Sequence, residues 1–62
     1  MRYKLTDVPR TLAERAGRPA PAGAYAKLWR AIADGRLPAE RQGQGWWIRD
    51  EDMLAAAAIL GM

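Results

Sequence analysis

The sequence predicts a small α+β domain, three helices beside a two-stranded β-hairpin, and three features of its 62 residues carry that expectation. Apolar residues recur at helical spacing in two segments, and each segment stops at a glycine, Gly17 or Gly35. The run Gly43-Gln44-Gly45-Trp46-Trp47-Ile48 joins turn chemistry to β-prone residues. An alanine-rich stretch that closes at Gly61 favours a further helix.

The first helix is expected over Asp7–Ala16, with Thr6 as its N-cap and Pro9 tolerated in the first turn. Val8, Leu12 and Ala16 mark its apolar side, while Arg10, Glu14 and Arg15 point outward. Arg18-Pro19-Ala20-Pro21-Ala22-Gly23 is a connector, since two prolines and a glycine in six residues do not make a helix interior. It is longer than the turn of a minimal helix-turn-helix. From Ala24 to about Asp34 the pattern is helical again, with Leu28 and Ile32 paired at i, i+4 and Lys27 and Arg30 on the opposing face. Arg36–Gln42 then reads as an extended arm, Gly43–Gly45 as a turn and Trp46–Arg49 as the return arm.

Alternation along the return arm puts Trp46 and Ile48 on one face and Trp47 and Arg49 on the other. An isolated hairpin is marginal in water, so the Trp46/Ile48 face must pack on the helices. Trp29 and Trp46 are expected in the core with Leu12, Leu28, Ile32, Leu37 and Ile48. The last helix is expected over Glu51–Leu60, with Asp50 as N-cap and Glu51 and Asp52 suited to the positive end of its macrodipole. Capping accounts for this acidic trio, and neither a catalytic nor a metal-binding role is expected of it. Residues 1–62 form a single domain.

Composition narrows the function. The chain has no cysteine and no histidine, which removes thiol nucleophiles, zinc clusters and the commonest general base. No enzyme activity, cofactor or small-molecule substrate is expected. No apolar run is long enough to span a membrane, and Met1-Arg2-Tyr3-Lys4 lacks the apolar stretch of a signal peptide, so the expected compartment is the cytoplasm. Residues 1–49 hold all ten lysines and arginines with four of the seven acids, and residues 50–62 hold the other three acids with no cation. A basic body of this kind favours a polyanionic partner.

One string carries a family resemblance. A helix with Leu28 and Ile32 ends in Asp34-Gly35-Arg36-Leu37-Pro38-Ala39, followed by Arg41, Gly43, Trp46-Trp47-Ile48-Arg49 and Asp50-Glu51-Asp52-Met53. This resembles the excisionase-like and MerR-like winged helix-turn-helix proteins. Leu5-Thr6 and Ala13-Glu14-Arg15-Ala16-Gly17 also look like that family's first helix. The connector is about five residues longer than in the minimal form and starts with proline and alanine, which is closer to phage excisionases.

The resemblance implies a winged helix-turn-helix fold and sequence-selective binding of double-stranded DNA. It implies further the excisionase role, in which several copies bind neighbouring sites, bend the DNA and help a site-specific recombinase select excision. A MerR-type activator continues into a coiled coil, which residues 1–62 do not contain. A small transcriptional regulator, a packaging protein resembling a phage terminase small subunit, and a protein-interaction module using the hairpin remain alternatives.

A recognition helix laid in the major groove presents its first turns to base edges, which here means Tyr25, Ala26, Lys27 and Arg30. Arg30 is suited to guanine and Lys27 to a phosphate. At the hairpin tip Arg41, Gln42 and Gln44 suit a minor groove or its bordering phosphates. Arg18 and Arg36 are the foremost backbone-contact candidates among the remaining bases, which are Arg2, Lys4, Arg10 and Arg15. Trp47, directed away from the core, either marks an interface with DNA, another copy or a recombinase, or folds over the last helix to cover Leu54.

Overall fold

A computed structural model describes all residues from Met1 to Met62. The chain runs β1 (Arg2–Lys4), α1 (Val8–Ala16), α2 (Ala24–Ala33), β2 (Glu40–Gln42), β3 (Gly45–Arg49) and α3 (Met53–Leu60). Single 3-10 turns, Leu5–Asp7 and Asp50–Asp52, lead into α1 and α3. The class is α+β with three helices, as the sequence predicts, but the sheet has three antiparallel strands rather than two, in the order β1-β3-β2.

Each helix buries a stripe of three residues at helical spacing. Leu5, Val8 and Leu12 come from the first turn and α1, Ala24, Leu28 and Ala31 from α2, and Met53, Ala56 and Leu60 from α3. Leu37 and Ile48 complete a core in which every member is at most 6% exposed. Alanines at 24, 31 and 56 let α2 pack closely on α3. The helices share one closure. Gly17, Gly35 and Gly61 take φ of 70°, 75° and 75°, and the next amide, from Arg18, Arg36 or Met62, donates back to the carbonyl of Ala13, Ala31 or Ala57 at 3.2, 2.8 or 2.9 Å.

Neither expected N-cap forms. Thr6 lies inside the first 3-10 turn, and the residue flanking α1 is Asp7, whose side chain makes no capping bond. Asp50 lies in the second 3-10 turn, and α3 begins three residues later at Met53 without a side-chain cap. The reason is common to both: each 3-10 turn offers its own carbonyls to the first helical amides, as Leu5 does to Val8 and Asp50 to Met53.

In the sheet, Tyr3 pairs with Ile48 and Lys4 with Trp47, while Glu40 pairs with Trp47 and Arg41 with Trp46. The expected alternation holds. Tyr3, Arg41, Trp46 and Ile48 share the inner face, and Arg2, Lys4, Glu40, Trp47 and Arg49 the outer one. Only Glu40–Gln42 of the expected Arg36–Gln42 arm is strand, because Leu37 is drawn into the core before the chain straightens. Gly43 and Gln44 form a two-residue turn, with Gly43 at φ 62° and Gln44 at negative φ, the combination a type II′ hairpin uses. No helix is long and apolar enough to cross a membrane.

Trp29 is the main correction to the expected core. It is 50% exposed, because the buried stripe of α2 runs through Ala24, Leu28 and Ala31 and leaves position 29 on the flank. The side of α2 that meets the core is already occupied by Ala24, Leu28 and Ala31.

Candidate functional site

Tyr25 and Trp29, one turn apart on α2, project into a groove of about 560 Å³. Its opposite wall is the hairpin, contributing Arg41, Gln42, Gln44, Trp46 and Trp47, and Lys4, Leu5 and Thr6 complete the lining. The α2 wall is oriented by its buried stripe. The hairpin wall is oriented by Ile48, which is fully buried, and by Trp46, which is partly buried against the core. Beyond the Tyr25–Trp29 ridge the outer surface of α2 continues through Ala26, Lys27, Arg30 and Ala33 to Asp34 at the helix end.

The distribution of ion pairs distinguishes this face. Glu40 accepts hydrogen bonds from Arg49 Nε at 2.6 Å and Arg2 Nη1 at 3.1 Å, and Arg49 also reaches Glu51 at 3.5 Å. Arg15 donates to Asp50 at 3.1 Å and to the Tyr3 hydroxyl at 2.9 Å. Arg10 pairs with Asp7 and Glu14, and Arg36 with Asp34. These contacts engage six of the seven acids and five of the ten cations. The cations without an ion pair are Lys4, Arg18, Lys27, Arg30 and Arg41. Four of them, all but Arg18, lie in the groove or on the adjoining surface of α2. No carboxylate lines the groove.

The charge states follow the same division. Hydrogen bonds from Arg49 and then Arg2 hold the Glu40 carboxyl below its ordinary range. Its bond to Glu40 raises the Arg49 guanidinium, and the bond to Asp50 raises that of Arg15. Positive charge is therefore neutralised at Arg2 and Arg49 on the outer sheet face and at Arg10 and Arg15 on α1, and left open at Lys4, on α2 and at the hairpin tip.

Stacking separates the aromatic residues too. Arg41 lies over Trp46 at 5.5 Å, and Arg2 and Lys4 lie over Trp47 at 5.2 and 5.7 Å. No cation covers Tyr25 or Trp29, which remain 46% and 50% exposed. Trp47 does not fold over α3, and Leu54 is 83% exposed.

Of the residues singled out from the sequence, Tyr25, Ala26, Lys27 and Arg30 form one continuous surface, and the groove brings Tyr25 opposite Arg41, Gln42 and Gln44. Arg18 and Arg36 lie outside it. Arg18 donates to the Gly61 carbonyl at 3.5 Å, and Arg36 is engaged with Asp34 at 3.4 Å. Trp29 and Thr6 join the site unannounced, and Lys4 rises above the other general phosphate candidates. Trp29 was legible as the i+4 partner of Tyr25 on the flank opposite Ala24 and Ala31. No protein-family model, curated protein or solved structure matches the chain.

Proposed function

We propose that this chain is a winged helix-turn-helix protein that binds double-stranded DNA, with α2 in the major groove and the β2–β3 hairpin as a wing over the neighbouring backbone or minor groove. The observation that carries the reading is the segregation of charge: Lys4, Lys27, Arg30 and Arg41 make no ion pair and line the groove or the adjoining surface of α2, where the one carboxylate, Asp34, is engaged by Arg36. Unpaired cations on a convex helix and a narrow hairpin match a polyanion with grooves. Lys27, Lys4 and Arg41 then meet phosphates, and Arg30 meets a base edge. Tyr25, Ala26, Gln42 and Gln44 line the same approach.

Within that class, the resemblance of Gly35-Arg36-Leu37-Pro38-Ala39 and Trp46-Trp47-Ile48-Arg49 to excisionases supports an accessory role in site-specific recombination. Copies bound side by side bend the DNA for a recombinase. The outer sheet face around Arg2, Glu40 and Arg49 is the surface left for a neighbouring protein when α2 faces the duplex.

The test is a titration of fluorescently labelled random-sequence duplex with the wild-type protein and with Lys27→Ala/Arg30→Ala. Saturable binding that the double variant loses supports the reading. Absence of binding at low salt, or equal binding by the double variant, contradicts it.

A further inference from the structure

We infer that Trp29, flanked by Ala26 and Ala33 on α2, selects thymine by covering its 5-methyl group on the major-groove edge. This rests on the duplex reading above and adds a specificity determinant to it. Three observations converge on Trp29. It is half exposed although α2 has a complete buried stripe without it, so the core does not account for an indole at this position. It differs from the other two tryptophans in having no cation stacked on its ring. It also stands on the surface that holds the unpaired Lys27 and Arg30, within an apolar strip of Ala26, Trp29 and Ala33 spaced i, i+3 and i+7.

An apolar strip pressed against polar base edges strips water from them without replacing the hydrogen bonds, which is costly. The major groove offers one apolar group among its four bases, the thymine C5-methyl. A duplex that places thymine methyls under the strip, with phosphate and guanine in reach of Lys27 and Arg30, therefore complements this face best.

The test uses a duplex enriched from a random library by binding to this protein, prepared once with thymidine and once with deoxyuridine throughout. Removing the methyls is expected to weaken wild-type binding about fourfold for each methyl covered. Trp29→Ala is expected to bind the two duplexes within about twofold of one another, since the apolar contact that tells them apart is gone. Trp29→Phe, which keeps an apolar ring, retains part of the preference, and circular dichroism checks that each variant is folded. Equal wild-type affinity for both duplexes overturns the inference and leaves the duplex reading standing. So does a full thymidine preference in Trp29→Ala, which would trace it to duplex stiffness. Failure of wild-type protein to enrich or bind any duplex overturns the duplex reading itself.

Discussion

The side chains of Arg30, on α2, and Asp34, the C-cap residue one turn further on, do not pair. Asp34 turns instead to Arg36 across the helix end, at 3.4 Å, and Arg30 keeps its guanidinium free. An exposed i, i+4 ion pair contributes only a few tenths of a kcal/mol, so leaving it unmade costs the fold little. It leaves a planar, permanently charged donor on the surface that also holds Lys27, Tyr25 and Trp29.

Arg30→Ala should therefore separate binding from folding. Duplex affinity is expected to fall by roughly 5- to 150-fold, the range for losing one bidentate base contact. The thermal midpoint should stay within a few degrees of wild type, as for a surface substitution. Arg36→Ala, which removes a residue already paired with Asp34, should weaken binding less. Fluorescence anisotropy and thermal denaturation of the same preparations read both quantities.

Leu28 and Trp29 are neighbours with opposite roles, and truncating each tests the assignment. Leu28 is fully buried, so Leu28→Ala should cost about 2–5 kcal/mol and leave so small a domain largely unfolded at room temperature. Trp29→Ala should cost about 1 kcal/mol or less. Denaturant titration followed by circular dichroism compares them, and equal losses would return Trp29 to the core.

Gly35 isolates a backbone effect. A β-carbon built there meets nothing within 4 Å, so packing does not oppose Gly35→Ala. Its φ of 75° does, and the strain is expected to cost about 1–2 kcal/mol. An unchanged denaturation midpoint would mean that α2 ends by another route.

Glu40 sets an acid limit on the sheet. Arg49 and Arg2 lower its folded-state pKa below the unfolded value, so its contribution is complete above the ordinary carboxylate range and is lost as pH falls through the lowered value. Wild-type protein should lose thermal stability over that acidic window more steeply than Glu40→Gln, which has no charge to titrate. Matching profiles would show that the outer-face network adds nothing.

The helices were legible because each rule acts locally: three-residue apolar stripes, a proline-rich connector, and a glycine past each helix end. The inward and outward sides of β3 followed from alternation alone. Strand β1 was not legible. Arg2–Lys4 is three residues long, and its partner lies more than forty positions away, so nothing local marks it. The missing caps reflect 3-10 turns whose carbonyls take over a role that Thr6 and Asp50 suit by residue type. The size of Trp29 suggests burial, but its position on α2 falls outside the stripe of Ala24, Leu28 and Ala31 that meets the core. Arg30, Lys27 and Arg41 were readable as cations; that they lack partners depends on where the acids fold.

The most direct measurement is the salt dependence of wild-type binding to a random-sequence duplex. Phosphate contacts by the unpaired cations of the α2 and hairpin face predict that log Kobs falls linearly with log salt, with a slope of about −3 to −5. A slope near zero, or no binding at low salt, would contradict DNA as the partner of this face.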